Sequence, residues 1–325
     1  MAVRVCAVVP VLNEEAEITR CIDSLLSQTM KIDVMVLDGG STDKTLEILS
    51  KYGKKIILLD NPGKRVSNAR NLALENLPKG TTHCFEIIGH SWVDEDHVET
   101  RVKDMLELES KLGKKVGAIG CRTEAGEYTG RVSSWIEGAL ASPLGSGGGQ
   151  FKRFVGREKT KVPAFCLHNV KALKAVGGWD ERFITSQDSD LSMRLLAAGW
   201  ELWRSDVSRV YMHKRSSLDK WWKMSHRYGF WRTKVILKHP TRADPREFLP
   251  LIGLILIFAL HNWWWAPLAY FVALLLMGIV YDDNKVSNFS GIYGIPLCLI
   301  ILHTAFTIGL FDGLTRSGKA PSDRT

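Results

Sequence analysis

The sequence lacks the cysteine spacing of a disulfide scaffold or a zinc module. Its six cysteines stand at 6, 21, 84, 121, 166 and 298, with no Cys-x-x-Cys pair and no matching histidine spacing. Such thiols read as reduced and buried in a cytoplasmic domain. Internal repeats are also missing. A 45% hydrophobic share beside 24% charged residues excludes a disordered chain. Uniform positive charge is missing as well, although the formal net charge is +8. Residues 214–246 hold ten Lys/Arg and two Asp/Glu, so that one stretch carries the whole surplus. This argues against a protein that coats nucleic acid and points to one local anionic partner. Finally, no charged side chain occurs from Phe248 to Tyr281.

What is present begins with alternation. The 325 residues suit one large domain plus an attachment. The run Val5 to Leu12 is too short for a signal-peptide core and reads as part of a first strand, Val3–Val9. Glu15–Gln28 carries Ile18, Cys21, Ile22, Leu25 and Leu26 at helical spacing. Asp33–Leu37 predicts a second strand, closed by Asp38-Gly39-Gly40-Ser41-Thr42-Asp43, with Ser41 or Thr42 as helix cap. Thr45–Tyr52 and Ser67–Asn76 predict helices, and Ile56–Leu59 a third strand. Such alternation predicts an α/β fold with a mostly parallel sheet and helices on both faces. Ligands bind such sheets beyond the carboxyl ends of the strands, which sets loops 10–14, 38–43 and 88–96 on one rim.

The uncharged stretch from Phe248 spans 34 residues. One helix of that length would run about 51 Å, against a hydrocarbon core of about 30 Å. It divides at His261–Pro267, where Trp263, Trp264 and Trp265 suit a membrane interface. A second uncharged stretch, Val286 to Phe311, contains Pro296. The expected organisation is a catalytic domain over 1–213 and a basic juxtamembrane segment over 214–247. Membrane segments follow near 248–264, 266–281 and 289–311, then a polar tail over 314–325. Between Leu218 and Leu237, apolar and aromatic residues interleave with Lys220, Lys223, Arg227, Arg232 and Lys234. That pattern predicts a basic amphipathic helix, broken near Gly229, with its tryptophans at headgroup depth. A buried hairpin of a soluble protein is the other reading of the uncharged run.

Several motifs carry chemistry. They are Val9-Pro10-Val11-Leu12-Asn13-Glu14-Glu15, then Leu37-Asp38-Gly39-Gly40-Ser41-Thr42-Asp43, then Ser67-Asn68-Ala69-Arg70-Asn71. Val176-Gly177-Gly178-Trp179-Asp180-Glu181-Arg182-Phe183 and Gln187-Asp188-Ser189-Asp190-Leu191 follow. In order and spacing this set resembles the family 2 glycosyltransferases of GT-A fold, and the resemblance covers residues 3 to about 215. It implies a nucleoside-diphosphate-sugar donor, a UDP-sugar by preference. It implies that Pro10 and Glu14 line the nucleotide pocket, that Asp38 holds the base or ribose, and that Arg70 completes the nucleotide site. Asp188 matches the family's general base for the acceptor hydroxyl, with Gly178, Trp179, Asp180 and Gln187 on the acceptor side. A base in that role must be ionised and within hydrogen-bond reach of the attacking hydroxyl. The plainer reading of Asp188 and Asp190 is capping of a helix over Leu191–Ala198.

One departure stands out. The family's Asp-x-Asp metal motif falls where this chain has Ile88-Gly89-His90. Asp94 and Asp96 come too late and suit the start of a helix over Glu95–Leu108. A subgroup with Asp-Gly-His at that place, the succinoglycan-type exopolysaccharide β-1,3-glucosyltransferases, is the most similar pattern. Gly89 and His90 are then candidates at the donor diphosphate, with His90 and His213 as candidate ligands for Mn²⁺ or Mg²⁺. Ala139 to Lys152 resembles the subgroup's glycine-rich acceptor-side loop. The implied function is an inverting hexosyl transfer to a lipid-linked saccharide or nascent polysaccharide. The implied place is the cell membrane, multi-pass, with the catalytic domain cytoplasmic and no nucleic-acid partner. The alternatives are a polyprenyl-phosphate hexose synthase and a catalytically silent sugar-nucleotide-binding membrane scaffold. A processive synthase is disfavoured, because no Gln-x-x-Arg-Trp segment follows Leu218.

Overall fold

The computed structural model describes residues 3–126, 130–146, 154–213, 215–253, 265–283 and 287–323. Met1–Glu124 with Phe154–Met212 forms one compact unit, and Ala125–Arg153 with His213–Thr325 a second.

The first unit is built on a nine-stranded sheet. Its opening strand β1 (Val5–Val11) is buried along its whole length, as a β-branched run between two helical layers must be. Helix α1 (Ile18–Leu26) buries Ile18, Cys21, Ile22 and Leu25, the stripe expected from spacing. Next come β2 (Asp33–Asp38), α2 (Thr45–Ser50), β3 (Ile57–Asp60), α3 (Val66–Glu75), β4 (His83–Glu86) and β5 (Ser91–Val93). Helix α4 (His97–Leu112) starts two residues later than expected and stops at Gly113, whose φ of 61° suits a residue without a Cβ. After β6 (Val116–Ala125) the chain passes through α5 (Arg131–Ala141) and α6 (Pro143–Ser146) of the second unit. It returns as β7 (Arg157–Lys159), β8 (Leu167–Asn169), α7 (Val170–Ala175), α8 (Gln187–Ala197) and β9 (Glu201–Met212).

Strand order is β3-β2-β1-β4-β8-β6-β9-β5, with β7 on β9. The expected parallel sheet is its first half: β1 pairs in parallel with β2 and β4, and β2 with β3. Strands β8, β5 and β7 join antiparallel, so the whole sheet is mixed. Register aligns the strand ends, with Val11 opposite Asp38 and Asp38 opposite Asp60. The loops after β1, β2, β3 and β4 therefore leave from one rim. Apolar layers fill both faces, one under α1 and α4, the other under α3, α7 and α8.

The second unit is helical. Helix α9 (Leu218–Lys238) runs unbroken through Gly229, contrary to the expected interruption. The glycine serves a close approach instead. A Cβ there would overlap the Phe306 carbonyl of the apolar helix Gly291–Thr315, and Gly309 faces the His226 carbonyl in the same way. Trp221 is fully buried and donates its indole N–H to the Cys298 carbonyl at 2.9 Å. Trp231 is buried and donates to Asp323 at 3.0 Å. These two tryptophans are internal packing groups, which corrects the expectation that they sit at lipid headgroups. Trp222 stays exposed. Arg227 donates to the Ser322 carbonyl at 3.0 Å, and Arg232 lies 3.2 Å from Glu247. Helices α10 (Trp265–Tyr281) and α11 (Gly291–Thr315) carry exposed Leu268, Phe271, Leu276, Ile300, Ile308 and Phe311. Among the described residues, α11 alone is long and apolar enough to cross a membrane, with a mean hydropathy of 2.0. The expected segment 248–264 lies largely outside the described residues.

Candidate active site

The rim loops are tied together by their own side chains. Asp38 is buried, and its carboxylate closes the turn that follows β2. One oxygen accepts the Gly40 and Ser41 N–H groups at 2.8 and 3.0 Å, and the other accepts the Ser41 hydroxyl at 2.5 Å. Gly40, at φ 90°, is where that turn needs a glycine. Asp43, not Ser41 or Thr42, accepts the Thr45 N–H at the start of α2, at 2.9 Å. Across the rim, the Thr42 N–H donates to the Asn13 amide oxygen at 2.8 Å, and the Lys44 N–H donates to Glu15 at 2.9 Å. Asn13 stands at φ 54°, a left-handed conformation that Asn tolerates. Pro10 is buried in β1 opposite Leu37.

Glu14 and His90 meet on this rim. His90 Nδ1 lies 2.8 Å from Glu14 Oε1. Ile88 to Ser91 is a tight turn, held by Ser91 N–H and Oγ–H donating to the Ile88 carbonyl at 3.0 and 2.7 Å. Gly89 fits because a Cβ would come within 2.9 Å of Glu14 Cγ and 3.1 Å of Val11 Cγ1. Three candidates from two motifs, Glu14 on one and Gly89 and His90 on the other, therefore form one cluster. His213 follows Met212, which the β5–β9 register sets opposite Ser91. Asp94 and Asp96 precede α4, and Asp94 accepts the Tyr211 hydroxyl at 3.2 Å.

Arg70 has another partner. Its guanidinium is buried 3.5 Å from Glu86, and Glu86 lies 3.1 Å from His168 Nε2. Burial acts to raise the Glu86 carboxyl. The Arg70 guanidinium and the His168 ring outweigh it and hold the group below the usual carboxylate range. Trp179 is buried edge-on to His168, with ring centres 5.9 Å apart. Its backbone is pinned to α3: Trp179 N–H donates to Asn71 Oδ1 at 2.8 Å, and Asn71 Nδ2 donates to the Trp179 carbonyl at 2.9 Å. Gly178 sits at φ 71°, and a Cβ there would lie 2.5 Å from Asn71 Oδ1. Asp180 holds Arg182 in a forked pair at 2.9 and 2.7 Å.

Asp188 and Asp190 both fall in the first turn of α8, which begins at Gln187 rather than Leu191. Asp190 is fully buried and paired with Arg194 at 2.9 Å. Asp188 is half-buried and accepts the Ser189 N–H at 2.8 Å. Gln187 Oε1 is buried without a hydrogen-bond partner among the described residues. Burial pushes the Cys166 thiol well above its ordinary value, and the charges of Glu86 and Asp188 add to the effect.

Sequence reasoning missed that group. A lone carboxylate in the otherwise uncharged core of β4 was the available signal. Glu86, Cys166 and His168 bring three donor atoms within 4.8 Å of one another. They suit an ion pair better than a metal centre, because Arg70 already neutralises Glu86 and the buried thiol keeps its proton. A divalent cation fits His90 better: its ring is partly exposed on the rim, and Nε2 makes no hydrogen bond among the described residues. Residues 147–153 of the glycine-rich loop lie outside the described residues.

The fold aligns over 96% of this chain and 87% of a mannosyltransferase from Pyrobaculum calidifontis in complex with GDP-Man and Mn2+. The TM-score is 0.53 at 16% identity. With its rim of strand-end loops, the fold is that of a GT-A glycosyltransferase. The description "Glycosyl transferase family 2" matches residues 6–79, and "Glycosyl transferase family group 2" matches residues 162–311. The succinoglycan biosynthesis protein ExoA of Rhizobium meliloti (strain 1021) is 29% identical over 265 residues, 79% of this chain and 78% of that protein. A dolichyl N-acetyl-alpha-D-glucosaminyl phosphate 3-beta-D-2,3-diacetamido-2,3-dideoxy-beta-D-glucuronosyltransferase of Methanococcus voltae is 23% identical over 96% of this chain and 97% of its own. Together these matches support a family 2 glycosyltransferase.

Proposed function

We propose that this enzyme moves a hexose, with inversion, from a nucleoside-diphosphate sugar to a lipid-linked saccharide or nascent polysaccharide at the cytoplasmic membrane face. The observation that carries the reading is the rim itself. Four strand-end loops leave from it, and His90, which the resemblance assigns to the metal position, makes no hydrogen bond through Nε2 among the described residues. The donor nucleotide would lie over Pro10, Glu14 and the Asp38 turn, whose glycines admit it close to the backbone. Asp38 would act chiefly by holding that turn. Asp188 would take the proton of the acceptor hydroxyl. Inversion needs only that base on the acceptor side and charge stabilisation at the departing diphosphate. A divalent cation held by His90, with His213 as second candidate, would supply that stabilisation. Gly178, Trp179 and Asp180 would shape the acceptor side through their attachment to α3 and Arg182.

Residues 1–213 would form the catalytic domain, 214–247 the juxtamembrane segment and 248–313 the membrane part. Support for the membrane comes from the exposed apolar faces of α10 and α11. At about 1.5 Å per residue, α11 is long enough for a core of about 30 Å. The full chain should stay with membranes after alkaline carbonate washing; release into the supernatant would remove the membrane assignment. The function is tested with detergent-purified protein, a panel of UDP- and GDP-sugars, and polyprenyl-diphosphate-linked acceptors. Transfer with an inverted anomeric linkage, read by NMR, is the expected result. Nucleotide binding without transfer would favour a scaffold, and transfer to the bare polyprenyl phosphate a polyprenyl-phosphate hexose synthase.

A further inference from the structure

We infer that Glu14 is a positioning residue that makes His90 a cation ligand, an inference that rests on the nucleotide-sugar reading above. An imidazole binds a metal through a nitrogen lone pair, and the proton on the other nitrogen decides which one is available. Here Glu14 Oε1 lies 2.8 Å from His90 Nδ1, so the carboxylate accepts an Nδ1–H and leaves the lone pair on Nε2. A carboxylate behind a histidine is the arrangement that orients metal-binding imidazoles and raises their basicity.

The local structure is arranged to hold this pair. The Glu14 N–H donates to Thr45 Oγ1 at 2.8 Å, and the Glu14 carbonyl accepts the Glu17 and Ile18 N–H groups at 3.0 and 2.9 Å. Its side-chain stem passes over Gly89, at the spot where any other residue would place a Cβ. The Ile88 carbonyl at the base of the turn also accepts the Cys21 thiol at 3.6 Å. Ile88 and Gly89 offer no side-chain ligand atoms, so the tripeptide's one side-chain donor is His90 Nε2. Loss of both aspartates leaves a site of one imidazole, donor oxygens and water, which suits Mn²⁺ better than the harder Mg²⁺.

The test is Mn²⁺ binding to the full chain in detergent, followed by the EPR signal of free Mn²⁺ with UDP or GDP present. Glu14→Gln keeps the shape and should weaken Mn²⁺ by about 10–100-fold. His90→Ala should weaken it at least as much. The double variant should bind no worse than His90→Ala, because Glu14 acts only through the ring. An unchanged affinity in Glu14→Gln, or losses that add in the double variant, would overturn the inference. The ¹⁵N shifts of the wild-type ring give a check that needs no variant: a proton on Nδ1 alone supports it, and a proton on Nε2 overturns it. Should the wild type bind neither UDP nor GDP, the nucleotide-sugar reading falls and this inference with it. Nucleotide binding with Mn²⁺ affinity indifferent to Glu14 overturns this inference alone.

Discussion

Asp188→Asn should lower turnover by about 10²–10⁴-fold while leaving donor affinity nearly unchanged. The expectation follows from what the side chain does in the fold. Asp188 accepts the N–H of Ser189 in the first turn of α8. An asparagine carbonyl can accept the same hydrogen bond, so the helix start survives. The amide cannot take a proton from an attacking hydroxyl. Asp190, two residues on, gives the contrast. It is fully buried against the partly buried Arg194, so its removal leaves that guanidinium without its carboxylate and acts on stability. Steady-state kinetics with a verified donor, beside nucleotide titration, separates these roles. A parallel fall in turnover and nucleotide affinity for Asp188→Asn would move the residue from base to donor binding.

The part of this molecule legible in its sequence is the part made of local signals. Strands β1 and β2 are β-branched runs closed by turn residues, and α1 is a clean stripe, so the parallel half of the sheet follows from periodicity. The antiparallel half does not. Strand β8 is three residues long, Leu-His-Asn, and pairs with β4 across more than eighty positions. Nothing local marks such a segment as a central strand. Helix α5 was equally opaque: Ile136 and Ala139 are buried in one apolar cluster with Ile295 and Leu299. At the site, the motifs named Glu14 and His90 separately, and the rim brought them to 2.8 Å. Arg70 shows the reverse. Its segment marked it for the nucleotide site, yet its guanidinium turns inward to Glu86. Helix α9 shows why a glycine is ambiguous in sequence. A break and a close helix contact both call for a missing Cβ, and here Gly229 serves the contact.

Glu86→Leu should destabilise the first unit by about 3–5 kcal/mol, because it leaves the Arg70 guanidinium buried without its carboxylate. For a unit of this size that is a fall of roughly 10 °C in the unfolding midpoint. Arg70 Nε already lacks a hydrogen-bond partner among the described residues, so the charge has little else to lean on. The pair itself need not be the stabilising element. Replacing both members, Glu86→Leu with Arg70→Met, should recover most of the loss, since the desolvation of two charges disappears with them. A double variant as unstable as Glu86→Leu alone would mean that shape at position 86, not charge, is what the core requires. The acid limb of stability offers an independent reading. The Glu86 carboxyl is held below the usual range in the folded chain. Its contribution is therefore complete above the unfolded value of about 4.3 and is lost as pH falls through the lower folded value. Wild-type protein should lose stability more steeply than Glu86→Gln below about pH 4.3, measured by denaturant unfolding across that window. Equal slopes in the two proteins would place the acid sensitivity outside the Arg70–Glu86 pair.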